Sequence, residues 1–438
     1  MRKLLLIIAA LYSAASFSQV TKDSISMGSG NPSYPLDVYY NLTTGAKDTV
    51  RNTNWHLSFA VRSAMPPMNV ARAAAVRINE ARGVNVYMPS TSRSWNNFDT
   101  AGWRTWTRPH DSDSSWDIGA FNQGYNVQAF NFGWGNYSMT TRDIDGTKTF
   151  LIRIANGPNS IFKKFRIEKL VFDTLWYAVI ANLDGTDSNA IFIDKSDFQG
   201  KLFAYYNITT NTVIDREPST PWHLLWSRYF TKVNAFGIDT FYTVTGILQH
   251  PTVVSTKFAG FLNDSLAYEI ASPLMTNRIS NIGWDWKVSP QGPPSTTPWE
   301  LIDSLSFFVK TQGMVDTAFK IIFTKFTGPN PQITVFNKSL VAKTLPPVGL
   351  ARQQMASFNV NVFPNPANTA LEYNFNTTAT AANITVYDIT GKMVESSTIS
   401  KSSDGFSGKI DVSTYNKGMY FIHIQTNEGT KAVRFMVN

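Results

Sequence analysis

The sequence predicts an all-β protein: two tandem antiparallel β-rich domains followed by a small C-terminal β-sandwich. Three observations carry this. Aromatic residues make up 13% of 438 positions, with 12 Trp, 17 Tyr and 30 Phe, a bias toward ring-rich strands. Apolar segments alternate with a period of two rather than 3.6. A set of aromatic landmarks occurs twice in the same order. The remaining composition narrows function. A hydrophobic share of 43% against 16% charged residues excludes a disordered chain. The lack of cysteine excludes a disulfide scaffold, thiolate metal sites, a thiol nucleophile and a lipid-anchored cysteine.

The elements follow in chain order. Met1-Arg2-Lys3, the apolar run Leu4 to Leu11 and Ser16-Phe17-Ser18 read as a secretory signal peptide over 1–18, too short to span a membrane. No later stretch is apolar enough for a transmembrane segment. The first copy of the repeat is expected over 34–199 and the second over 200–344. Tyr39-Tyr40-Asn41-Leu42-Thr43-Thr44 returns as Tyr205-Tyr206-Asn207-Ile208-Thr209-Thr210, and Trp55-His56-Leu57-Ser58-Phe59 as Trp222-His223-Leu224-Leu225-Trp226. Asn131-Phe132-Gly133-Trp134 answers Asn281-Ile282-Gly283-Trp284, Leu151 to Ile154 answers Phe307 to Lys310, and Ile191 to Ser196 answers Thr334 to Ser339. In Trp55 to Val61 the odd positions are large and apolar, so that face should enter a core and the histidine face should turn to solvent or a second layer. The one helical candidate is Val70 to Arg82, with its three alanines.

Residues 345–357 read as a linker. The last segment, 358–438, has extended Val362-Phe363-Pro364-Asn365-Pro366, a strand and turn over Ile384 to Lys392, a second strand over Gly418 to Ile424, and a basic-then-apolar end. Pro364, Asn365, Pro366, Asp388, Gly391, Lys392, Gly418 and Tyr420 are the ordered motifs. The segment resembles the type A C-terminal sorting domain of type IX secretion in Bacteroidetes. The resemblance implies recognition by the type IX machinery, passage through the periplasm and delivery to the outer-membrane surface or the medium.

The order of landmarks across both repeats resembles the HmuY family of surface proteins. That resemblance implies an all-β fold and a haem-binding function, haem iron being held in the family by two axial histidines. The family's strand landmark is Trp-Asp-Leu, whereas both copies here read Trp-His-Leu. No motif in this chain matches the family's axial histidines.

Ligand chemistry rests on few residues. Haem needs an axial ligand, usually His. His56 and His223 sit at the same place in the two copies, and the sequence favours strand residues that bond locally over ligands. His110, in Arg108-Pro109-His110-Asp111, and His250, in Gln249-His250-Pro251, are loop histidines. Met65 and Met68 are soft ligands in principle and gap-fillers by default. Asp111, Asp113 and Asp117 do not make a full calcium set and read as turns. The isolated Glu residues and the absence of a nucleophile elbow, a zinc helix or a phosphate loop argue against an enzyme. Net charge is +8, falling by two with the leader, and it is spread diffusely, so nucleic acid is not an expected partner. Ser24, Thr49, Thr100, Thr174, Ser265, Ser304 and Thr317 follow Asp in a pattern that resembles bacterial O-glycosylation acceptors, which would place them in surface turns. The leading reading is a secreted or cell-surface, non-enzymatic binding protein, with haem or another tetrapyrrole its sharpest ligand. A structural or adhesive protein gripping glycan or protein is the alternative, and a carbohydrate-active enzyme the third.

Overall fold

The computed structural model describes residues 20–62, 73–89, 93–123, 130–157, 159–235, 237–260, 262–288, 299–328, 332–343 and 358–438. The leader over 1–18, the linker over 345–357, Met65 and Met68 lie outside the described residues. The described chain is nearly all β, in several antiparallel sheets.

Two equivalent packing units fill the middle. The first has a sheet in the order Asn189–Asp194, Leu175–Ala181, Asn159–Val171, Phe150–Asn156, Val84–Tyr87. A four-stranded sheet, Thr212–Ile214, Phe203–Asn207, Leu57–Ala60, Val76–Ile78, packs on it. Their shared core holds Leu57, Phe59, Trp134, Phe165, Trp176 and Tyr206. The second unit repeats the plan. Its five strands run Thr21–Gly28, Gln332–Ala342, Thr317–Phe326, Leu305–Lys310, Val254–Ala259. Its four run Lys47–Arg51, Leu36–Tyr40, Leu224–Ala235, Ile238–Gln249. Tyr40, Leu224, Trp226, Phe307 and Phe336 lie in that core.

Matching the strands one to one shows a reciprocal exchange. Each repeat begins with one strand and a hairpin, and each gives them to the other unit. Thr21–Gly28 and the hairpin 36–51 complete the unit of 224–342, while Asn189–Asp194 and the hairpin 203–214 complete the unit of 57–194. The expected boundary at 199/200 thus falls inside an exchanged segment. Sheet position also corrects one landmark. Residues 191–196 correspond to Thr21–Gly28, not to 334–339, whose strand corresponds to Leu175–Ala181. Short alternating strands look alike in sequence, and only their neighbours tell them apart. The Trp134 landmark shifts too: its buried partner in the second unit is Trp286 at 2% exposure, while Trp284 is half-buried.

The expected helix over Val70 to Arg82 is not helical where it is described. Val76–Ile78 is a strand paired with Leu57–Phe59, and Glu80–Arg82 is a single 3-10 turn. Two β-branched residues flanking Arg77 suit a pleated, doubly buried position. The α-helix among the described residues is Asp264–Ala271, capped by the Asn263 side chain accepting from Leu266 N at 2.9 Å.

The C-terminal segment is the expected small sandwich. A three-stranded sheet, Val360–Phe363, Ala370–Phe375, Phe406–Asp411, faces a four-stranded one, Met393–Ser400, Ala381–Asp388, Gly418–Thr426, Gly429–Val437. Phe375, Ile384, Ile422, Phe406 and Phe435 form its core. Its motif residues each hold a turn or an edge. Asn365 accepts from Met436 N at 2.9 Å and donates to Arg434 O at 3.2 Å, pinning the Pro364-Asn365-Pro366 turn to the last strand. Asp388 Oδ1 accepts from Thr390 N, Thr390 Oγ1 and Lys392 N, and Gly391 takes φ 81° to close that turn. Tyr420 donates to Asn416 O at 2.9 Å and stacks on Phe435.

Candidate functional site

The exchange makes the seam between the two units the natural place to look for a site. Both faces of Leu57–Ala60 are buried. Leu57 and Phe59 enter the first core, while Ala60 joins a fourth apolar cluster with Tyr39, Trp116, Tyr205, Trp222 and Leu225. That cluster is the second layer. Tyr39 meets Trp222 edge-on at 5.0 Å, and Tyr205 meets Trp55 edge-on at 5.0 Å, so each hairpin docks on the other repeat's Trp. Such pairs contribute roughly 0.5–1.5 kcal/mol each beyond the area they bury.

The two symmetric histidines are latches for that exchange. His56 Nδ1 accepts from Ile208 N at 3.0 Å, and His223 Nδ1 accepts from Leu42 N at 3.0 Å. Their own backbone N–H groups donate to Tyr206 O and Tyr40 O. The bonds run between repeats rather than locally. Asn207 and Asn41 repeat the theme by donating to Asn54 O and Pro221 O at 2.8 Å. Burial holds the His56 imidazole down at about 4 and lowers that of His223, so both rings are neutral at pH 7.

Of the other two candidates, His250 adjoins His223, its backbone N–H donating to His223 O at 2.9 Å. His250 Nδ1 accepts from Thr252 N at 3.2 Å, its ring stands edge-on to Trp222 at 4.7 Å, and burial lowers its pKa to about 4. His110 Nδ1 sits 2.6 Å from Glu80 Oε1, and its ring stacks on Phe241 at 4.0 Å and near Phe230 at 5.1 Å. His56 and His223 therefore hold equivalent places in the exchange, and His250 packs beside His223. Among the described residues no three His, Asp or Glu side chains gather as a metal set.

Haem can be tested against these rings. Iron ligation through Nε2 requires the proton on Nδ1. In His56, His223 and His250 the Nδ1 atom accepts a backbone N–H, which forces the proton onto Nε2. These three do not fit an axial ligand without losing a structural bond. His110 alone has a carboxylate at Nδ1, the arrangement that leaves Nε2 as an acceptor.

Charge at the seam is dense. Arg216 and Asp37 form a buried pair at 2.8 Å, and Asp37 also accepts from Ser227 Oγ at 2.8 Å and Asn52 Nδ2 at 3.1 Å. Glu217 accepts from Leu202 N, Phe203 N and Tyr205 OH, and burial raises its pKa to about 7. Asp111, also raised by burial, accepts from Ile78 N and Ala120 N. Asp113 reaches across the seam to Thr231 and Arg278, so the expected acidic turn is a clasp between units.

Two spaces open beside these groups. An inner cavity of about 80 Å³ is lined by Arg77, Glu80, Trp55, Arg216 and Tyr229 among others. It suits a few waters, each needing roughly 10–15 Å³, and falls well below the roughly 300–1,000 Å³ of an organic ligand pocket. An outer cleft of about 580 Å³ shares Trp55 and Arg228 with it and adds His56, Arg82, Thr53 and Thr209. Sequence reasoning reached His56 but missed Arg82, Arg228 and Trp55 as a group. They come from a 3-10 turn, a strand and a loop in different repeats, and no spacing in the chain announces them. A second cleft of about 530 Å³ lies on the first unit, where Trp103 stands edge-on between Tyr87 at 4.9 Å and Phe162 at 5.3 Å.

The glycosylation candidates are exposed or half-buried. Thr100, Thr174 and Ser304 lie in turns or loops as expected. Ser24, Thr49 and Thr317 are on strands and Ser265 is in the helix.

No curated protein matches the chain. Among solved structures it is similar, at 12% identity, to the dimeric latent PorU of Porphyromonas gingivalis, over 66% of this chain and 28% of that one, with a TM-score of 0.16. A superposition that poor carries no argument. Residues 361–438 match the family model of the secretion system C-terminal sorting domain, the type IX address that marks a protein for export to the cell surface or the extracellular space.

Proposed function

We propose that this protein is a non-enzymatic binding protein, delivered through the periplasm by its leader and exported by type IX secretion, with its ligand site in the outer cleft at the seam. The observation that carries the reading is the conjunction of the sorting module with a 580 Å³ cleft walled by hydrogen-bond donors. The doubled β plan, with its repeated Tyr-Tyr-Asn and Trp-His-Leu elements, supports kinship with HmuY-like domains. It does not support their bis-histidine haem site at His56 or His223, because both Nδ1 atoms are committed to the exchange. A haem reading would have to run through His110. The raised carboxylates that a glycosidase would use, Asp111 and Glu217, each accept two or three structural hydrogen bonds, which favours binding over catalysis. The aromatic cleft around Trp103 favours a second reading, adhesion to glycan through ring faces.

The test is a haemin titration together with a glycan array, both on the purified full chain. The account expects no Soret shift of the bis-histidine kind and retention of ligand without product release. Hydrolysis of an array glycan would replace it with an enzyme.

A further inference from the structure

We propose that the seam cleft binds its ligand through an anionic group, a carboxylate or a phosphate, held between the guanidinium groups of Arg82 and Arg228. The inference deepens the binding-protein reading and rests on it.

Three features carry it. First, the cleft wall contains no acidic residue. Its polar groups are donors: the two arginines, the Thr53 and Thr209 hydroxyls, and the His56 ring N–H. His56 must carry its proton on Nε2, because Nδ1 accepts from Ile208 N.

Second, the two cations lack a counterion. Among the described residues neither Arg82 nor Arg228 makes an ion pair. Arg82 donates to Asn52 Oδ1 at 2.9 Å and to the carbonyls of Ser33 and Tyr34. Arg228 has the Tyr34 ring at 5.7 Å and makes no side-chain hydrogen bond among the described residues. The acid that Arg82 senses, Asp37, is already taken by Arg216, Ser227 and Asn52. Burial depresses both guanidinium pKa values, Arg82 to about 10, and Arg228 adds repulsion at Arg82. Two half-buried like charges without a counterion are costly, and an anion between them relieves both burial and repulsion.

Third, the cleft continues past the charges into apolar wall at Ile154 and Ile161. An acidic sugar or a phosphorylated metabolite, with a charged end and a less polar body, suits that gradient.

The experiment is isothermal titration of the full chain with inorganic phosphate, glucuronate and neutral glucose, at low and high NaCl. The proposal expects at least one anion to bind, glucose to bind at least tenfold more weakly, and the anion's affinity to fall with salt. Phosphate alone would assign a phosphate ligand, and glucuronate alone a sugar acid. Arg228→Gln should weaken the binding anion at least tenfold without lowering the melting temperature, since the guanidinium makes no hydrogen bond among the described residues and its removal relieves repulsion at Arg82. Arg82→Lys should keep the charge but lose the planar fork, weakening binding less than Arg228→Gln. Binding of neither anion, equal binding of glucose, or undiminished binding by Arg228→Gln would overturn the site. If the glycan array shows binding while neither anion does, the anion site alone falls and the binding-protein reading stands.

Discussion

His223→Ala tests whether the exchanged hairpins are latched as described. The substitution removes the acceptor for Leu42 N, and Leu42 is fully buried at 0% exposure. A buried donor left without a partner costs about 1–3 kcal/mol. His56→Ala does the same to Ile208 N, whose residue is 3% exposed. The pseudo-symmetry predicts similar losses at the two sites. The latches hold different units, so the double variant should lose about 2–6 kcal/mol by near-additivity. Set against a typical stability of about 5–15 kcal/mol, the double variant should fold at 25 °C but with little margin. Urea unfolding followed by circular dichroism measures this directly. Each single variant should keep its native spectrum and show a lower midpoint. His→Asn should recover part of the loss, because an amide oxygen can accept the same bond. Midpoints unchanged in both single variants would refute the latch. Loss at one site alone would refute the reciprocal exchange.

Two further outcomes follow from the same geometry. A fragment of 57–214 carries every strand of the first unit and should fold alone, whereas 200–344 lacks Thr21–Gly28 and the hairpin 36–51 and should not; dispersed amide signals from the second fragment would contradict the exchange. For pH, His56 and His250 have folded values of about 4, below the unfolded 6.5, so the unfolded chain takes up more protons between those limits. The histidine contribution is full above pH 6.5 and falls toward pH 4, while the raised carboxyls of Glu217 and Asp111 act with the opposite sign, so the readout is the difference in urea midpoint between the parent and His56→Asn. That difference should shrink as pH drops from 6.5 toward 4, and a difference independent of pH would contradict the buried, neutral ring.

The sequence made the strand content and the C-terminal module readable, because each rests on local alternation or on ordered motifs. The leading clue, Trp-His-Leu at equal places, did mark equal structural positions, as His56 and His223 show. What the chain could not display was partnership. Nothing local in Thr21–Gly28 says that it pairs beside Gln332–Ala342, and nothing in residues 191–196 distinguishes them from 334–339. The alanine run at 73–75 suggested a helix, but it is a buried, non-helical lead-in to the strand Val76–Ile78. The cleft was invisible for the same reason: Arg82 and Arg228 belong to different repeats and meet only after the exchange.

The central claim is that the C-terminal module exports a binding protein. Deleting 358–438 and fractionating the native host tests it most directly. The account predicts that the truncated protein stays in the periplasm, because the leader still delivers it there, while the full chain reaches the surface or the medium. Truncated protein found outside the cell at the level of the full chain would contradict it.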